Sequence, residues 1–300
     1  MGHCSYIWRK SGLLQTEQRK EWLFEISTRT NYLRVDFREI WRYRDLLLLF
    51  VRRDIVSFYK QTILGPLWYL IQPILTTAVF TIIFNTIGGI GVGPYPPFLF
   101  NLVSVTCWTF FSTCLTTTSD VFKTNAALFG KVYFPRVIMP LSIVVSNLVK
   151  FGIQLFILLL FYLYFRYIGW EVLPDRSFLF FPLLIICMGL LGLGIGMIVS
   201  SMVTKYRDLS FLITFGVQLL MFISAVNYPI GLARTRMPEY AWLVEYNPMA
   251  HMIELARHMI LGAGEMDVTS VIYLVFVTLA ILAIGIVVFN KTERSFIDTI

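Results

Sequence analysis

His251, Glu254 and His258 stand at i, i+3 and i+7 in the run MAHMIELARHMIL, a spacing that puts all three on one face of a helix. Two imidazoles and a carboxylate so placed could begin a metal site. No further ligand is evident and water is near, so these read as interfacial polar residues and no metal is expected. Nor does the chain hydrolyse ATP by itself: it has no G-x-x-x-x-G-K-[ST] and no other phosphate-cradling glycine loop that leads into a helix. Gly189, Gly192, Gly194 and Gly196 are embedded in apolar sequence, where small residues let helices approach closely.

Other chemistry-bearing residues are few. Lys150 is the only clear ionisable residue inside an apolar block, and an intramembrane charge is a functional hypothesis by default. It either meets an anionic substrate group in a watery path or snorkels along its own stem to the interface. Cys4, Cys107, Cys114 and Cys187 have no C-x-x-C spacing and read as small buried residues. No chain of Asp, Glu and His crosses the apolar blocks, which argues against a proton-coupled carrier. Aromatic residues make up 16% of the chain. Trp68, Tyr69, Phe80 and Phe84 in one block, and Phe211, Phe215 and Phe222 in another, recur at roughly helical intervals. Such rings can stack on the apolar faces of sugars, or simply meet lipid.

The elements that must position these groups follow from composition. With 57% hydrophobic and 14% charged residues and a mean hydropathy of +0.71, the chain is an integral membrane protein. Apolar blocks near 66–87, 98–118, 138–165, 178–200, 209–228 and 268–290 match the roughly 20 residues that cross a bilayer core. The expected fold is therefore an all-α bundle of six spans over 66–290. Transmembrane barrel strands would be far shorter and alternating.

Charge orients the bundle. Nearly half of the 25 Lys and Arg precede Gly65, and Lys123, Lys131, Arg136, Lys205, Arg207, Lys291 and Arg294 fall in alternate connections or the tail. Basic residues concentrate in cytoplasmic loops, so both termini are expected inside, with 1–65 a cytoplasmic segment and 291–300 a cytoplasmic tail. The net charge of +7 reflects this bias, and nucleic acid is not an expected partner. No cleavable secretory leader is expected, because charges run through the first 45 residues. Trp22, Leu23, Phe24 and Ile26 suggest a short surface helix.

Over 36–60, Ile40, Leu47, Val51, Ile55 and Phe58 recur at helical spacing while Arg38, Arg42, Asp45, Arg52 and Asp54 take other faces. This is an amphipathic interface helix, either a plain anchor or a lever that touches a cytosolic partner. The connection 120–137 holds a possible short helix after Asn125, ended by Gly130. Ser200–Asp208 is a shorter, similarly polar inner connection. The long outer connection is expected to form two short helices over 236–262, broken at Asn247-Pro248 and ended by Gly262. Each is too short to span, so they are expected to dip in and return, either as an exit gate with Asn247, Pro248, His251 and His258 or as a surface cap.

Several of these pieces carry a resemblance. Arg52-Arg53-Asp54 with Tyr59-Lys60-Gln61-Thr62, Gly65 with Leu67-Trp68 and Gln72-Pro73, the KVYFPR run with Pro140, Asn247-Pro248 and the terminal KTERSFIDTI occur in the expected order over nearly the whole chain. Together they resemble the permease subunit of type-2 ABC exporters for cell-surface polysaccharides, among them O-antigen, capsule and teichoic acid exporters. The resemblance implies a second copy of the chain and two separate ATPase subunits that bind the ATP and Mg, with no cofactor in this chain. It implies a bacterial inner-membrane location, docking through the interface helix and a coupling helix near 120–131, and a conduit lined by the first and fifth spans. Arg52, Arg53, Asp54, Asn125, Phe129, Lys131 and Arg207 are the expected coupling residues. The cargo implied is a lipid-linked glycan, O-antigen foremost. Phe58, where a basic residue is expected, and the long segment before Asp36 depart from the pattern. A permease for a small lipid or drug shares the architecture, and a membrane-embedded glycosyl- or acyltransferase would have only the His251/Glu254/His258 face to work with.

Overall fold

A computed structural model describes residues 37–60, 65–129, 134–206, 208–263 and 268–297. The expectations for the surface helix at 22–26 and for Lys131 and Arg207 lie outside these residues. The described chain is all helical. The interface segment forms α1 (Phe37–Arg42) and α2 (Arg44–Lys60), separated at Tyr43. α3 (Trp68–Phe80) continues directly into a π-helical stretch, Thr81–Ile87. α4 (Pro97–Ser119), two four-residue helices α5 (Val121–Thr124) and α6 (Ala126–Phe129), α7 (Ile138–Tyr167), α8 (Phe181–Lys205) and α9 (Leu209–Ile223) follow. The long connection folds into α10 (Ile230–Arg236), α11 (Ala241–Glu245) and α12 (Pro248–Leu261), and α13 (Val268–Ile297) ends the chain.

Among the described residues, five helical stretches are long and apolar enough to cross a membrane: Trp68–Ile87, Pro97–Ser119, Ile138–Tyr167, Arg176–Lys205 and Val268–Thr292. The expected span at 209–228 is represented by α9, whose 15 residues reach only about 22 Å at 1.5 Å per residue. α13 runs on past the expected span 268–290 to Ile297. No Gly or Pro interrupts FNKTERSF, so nothing there stops the helix.

Local chemistry explains most boundaries. Pro97 and Pro248 sit at the first helical position, where the missing N–H costs nothing. Gly262 closes α12 in the left-handed conformation at φ +73°, donating its N–H to the His258 carbonyl. The π-helical stretch is tied to α4: fully buried Asn101 donates through Nδ2 to Thr81 Oγ1 at 3.0 Å and Asn85 Oδ1 at 2.7 Å.

α4 and α8 form the centre, with α7, α12 and α13 packed around them. The glycines of α8 set how close this packing is. A Cβ on Gly192 would fall 3.0 Å from the Phe111 carbonyl, and one on Gly196 2.6 Å from Thr118 Cβ, both on α4. On the other side, a Cβ on Gly285 of α13 would meet the Gly194 carbonyl at 2.5 Å. A second apolar cluster joins Phe50 of α2, Val121 and Phe122 of α5, Phe134, Ile138 and Phe289 at one end of the bundle.

Candidate functional site

Three groups of expected site residues occupy different regions, beginning with the end where α2 meets the connection between α4 and α7. Arg53 donates to Asp54 Oδ1 from Nε at 2.9 Å and from Nη2 at 2.8 Å, and from Nη1 to Asn125 Oδ1 at 3.4 Å. Asn125 is buried between α5 and α6 and donates to the Val121 carbonyl at 3.1 Å. Residues 72 positions apart are thus joined in one unit. Beneath it, the Arg53 guanidinium lies 5.1 Å from the Phe50 ring, Phe50 meets Phe134, and Phe122 stacks on Phe289 at 4.7 Å. Phe50, Phe122, Phe134 and Phe289 thus belong to one apolar cluster that joins α2, α5, the segment before α7 and α13. Arg52 is exposed on the same helix. The Phe129 side chain is outside the described residues.

The aromatic stripes lie on α3 and α9, both of which rest on α4. α3 buries only Pro73 and Thr77, and α9 buries no side chain at all. Trp68, Phe211, Phe215 and Phe222 are exposed, Phe211 to 81%. Tyr69, Phe80 and Phe84 are half-buried, the last two edge to face at 5.8 Å. Lys150 of α7 turns toward this region: its Nζ lies 5.7 Å from the Tyr69 ring and donates to Asn147 Oδ1 at 3.0 Å, while Asn147 Nδ2 reaches Cys114 Sγ of α4 at 3.8 Å. The ammonium is thus held between α3 and α7.

At the opposite end, Asn247 caps α12 by accepting the Met249 N–H at 2.9 Å. The three residues of the possible metal face have separate partners. His251 Nε2 meets the Glu245 carbonyl at 2.6 Å, with its ring edge to face with Tyr273; Glu254 pairs with Arg257; and His258 Nε2 lies 3.6 Å from Asp175 Oδ2. Among the described residues no group of three or more His, Cys, Asp or Glu side chains could hold a metal ion. Asp175 also accepts the Ser177 hydroxyl at 2.6 Å and its N–H at 2.9 Å, bonds that hold its carboxyl below the usual aspartate range.

Lys150 is the clear ionisable residue of the apolar blocks, and a second buried charge lies outside them. Arg257 of α12 is fully buried and hydrogen-bonded to Ser104, Glu254 and three backbone carbonyls. It was hidden among the other polar residues of a long connection. The signal was its register: Ile253 four positions before, Ala256 beside it and Ile260 three after mark a buried stripe.

The pattern of the family described as ABC-2 type transporter matches residues 45–261. An O-antigen export system permease protein RfbA of Klebsiella pneumoniae is 26% identical over 256 residues, covering 85% of this chain and 94% of that protein. One from Myxococcus xanthus is 25% identical over 263 residues, covering 88% and 98%. The polysialic acid transport protein KpsM of Escherichia coli is 22% identical over 256 residues, covering 82% and 93%. The matched stretch takes in α2, the thinly buried α3 and α9 and the whole of α12, and the chain belongs to the ABC-2 type transporter family.

Proposed function

We propose that this chain is the membrane permease of an ATP-driven exporter that carries a lipid-linked polysaccharide, O-antigen foremost, outward across the bacterial inner membrane. Support for the cargo comes from one observation: the O-antigen permeases match the chain over nearly their full length. In this reading α9, extended by the turn that follows it, completes six spans with both termini in the cytoplasm. Two copies pair through α3 and α9 and line a conduit whose exposed rings offer stacking surfaces to a moving glycan without gripping one hydroxyl pattern. The chain has no catalytic residue of its own. Two partner ATPases bind ATP and Mg and push on the unit formed by α2, α5 and α6, where Arg53 meets Asn125. The hairpin of α11 and α12 covers the outer mouth.

Reconstitution with the ATPase into vesicles tests this. Lipid-linked glycan should appear on the far side only with ATP, and Arg53→Ala should cut transport about tenfold while leaving hydrolysis by the ATPase largely in place. Stimulation by a small lipid or drug with none by a lipid-linked glycan would remove the cargo assignment, and modification of the glycan lipid by the chain alone would remove transport altogether.

A further inference from the structure

The outer hairpin and the end of α9 are joined through one side chain. α9 gives way at Ser224 to a turn in which Ala225 has φ +51°, and Ala225 is the only non-glycine residue with positive φ among those described. A helix end leaves carbonyls without helical partners and carries the negative end of the helix dipole. Arg257 meets the turn that follows that end. Its Nη2 donates to the carbonyls of Ala225 and Val226, both at 2.8 Å, and its Nη1 to that of Tyr228 at 3.2 Å. The remaining donors go to Glu254 Oε2 at 3.0 Å on its own helix and to Ser104 Oγ at 2.8 Å on α4. A guanidinium has five N–H groups, so all are used, three of them on the turn after α9. Phe100 covers one face, its ring centroid 3.9 Å from the guanidinium carbon. A second tie runs beside the first: Asn247, the cap of α12, donates through Nδ2 to Ser224 Oγ at 3.0 Å.

The contrast with the rest of α9 gives these ties their meaning. Along its length α9 buries no side chain fully, and Ile213, Val217, Leu220 and Met221 rest half-buried against the core. At its outer end it is bonded to α12 by a buried charge whose removal from those carbonyls would leave it uncompensated. Toward α4, Arg257 itself has one hydroxyl bond and one ring contact, while α12 is seated on α4, α8 and α13 through buried Met249, Met252, Ile253 and Met259. We infer that Arg257 is a positioning residue that makes the outer hairpin and the outer end of α9 one rigid unit, so that the conduit wall cannot shift outward without carrying the hairpin with it. The inference rests on the reading of α9 as conduit wall and of the hairpin as its cover. Lysine cannot replace it, because a single ammonium lacks the planar fork that reaches successive carbonyls.

The test uses the full transporter with its ATPase in lipid discs, with the native cysteines replaced and unlabelled chain in excess so that each assembly carries one labelled protomer. Spin labels at Phe222→Cys on α9 and Trp242→Cys on α11, both exposed positions, report the unit; labels at Phe222→Cys and Phe276→Cys on α13 report its movement against the body. The first distance should be the same without nucleotide and with ATP trapped, while the second shifts. In Arg257→Gln the first distribution should broaden and become nucleotide-dependent, and Arg257→Lys should do the same in part. Ser104→Ala, which cuts only the bond to α4, should leave it unchanged. A first distance that changes with nucleotide in the unsubstituted protein overturns the inference, as does one that stays narrow and constant in Arg257→Lys. If both distances stay constant in every state, the hairpin and α9 remain tied but do not move, and it is the gate that fails.

Discussion

α4 and α3 have similar hydropathy and opposite situations. In α4, 78% of the central stretch is buried; in α3 with its π-helical extension the figure is 11%, and α9 buries nothing. Lipid tails are as apolar as leucine, so burial between helices is not driven by hydropathy but by close packing and hydrogen bonds. α4 supplies both. Ser104, Thr113, Thr116 and Ser119 fold their hydroxyls back onto carbonyls four residues earlier, which removes polar cost, and Phe111, Cys114, Leu115 and Thr118 form the face that meets the α8 glycines. α3 and α9 instead present Trp68, Leu75, Ile82, Phe211, Phe215 and Leu219 to their surroundings. One helix is buried in the bundle, and the other two leave much of their apolar surface exposed.

The sharpest way to break that contrast is to remove a ring from each. Phe111 of α4 is 1% exposed and packs at 5.5 Å from Trp108; Phe111→Ala should cost about 3 kcal/mol of stability. Phe211→Ala on α9 should leave the melting temperature within error, within about 0.5 kcal/mol, yet lower glycan transport several-fold. Equal losses of stability for the two would show that α9 is packed like α4 in the assembled protein and is no open wall.

Adding bulk sharpens the same distinction at a smaller amplitude. Gly196→Leu must push a Cβ to 2.6 Å from Thr118 Cβ and 2.9 Å from the Leu115 carbonyl, so α4 and α8 separate. The expected cost is about 1–3 kcal/mol, seen as lower folded yield and melting temperature. Gly216→Leu on α9 meets nothing within 4 Å. It should hold or slightly raise stability through helix propensity, and its effect should be confined to transport.

These differences were only partly legible in the sequence. Continuous apolar runs announce helices, and backbone chemistry announces some boundaries: Asn247 with Pro248 starts α12 and a left-handed Gly262 ends it. Depth in the bundle was not legible, because hydropathy averages over faces and cannot separate α4 from α3. Arg53 and Asn125 could each be singled out, but their bond across 72 residues is a product of packing. The π-helical stretch at Thr81–Ile87 depends on Asn101, which comes from the next helix. Arg257 was readable from its apolar neighbours, but on the outer connection only Asn247, Pro248, His251 and His258 were singled out, for an exit gate or a surface cap.

The smallest expected effect lies at the seam between scaffold and outer hairpin, where Asp175 joins the α7–α8 linker to α12 through His258 at 3.6 Å. Its carboxylate accepts the Ser177 hydroxyl and N–H, and both bonds favour the charged form, depressing its folded pKa below the unfolded value of about 3.9. A depressed acid contributes stability that is present above the unfolded pKa and is lost as pH falls through the folded one. The melting temperature of Asp175→Asn should therefore lie slightly below that of the unsubstituted protein near pH 5, where the native carboxylate is charged. The margin should shrink in acid below about pH 4, as the native carboxylate itself takes up a proton. Asp175 is solvated, so the margin should be small. A margin that grows in acid would mean that the linker is held by the neutral acid and not by the carboxylate, and the seam between scaffold and hairpin would then tighten where it is expected to loosen.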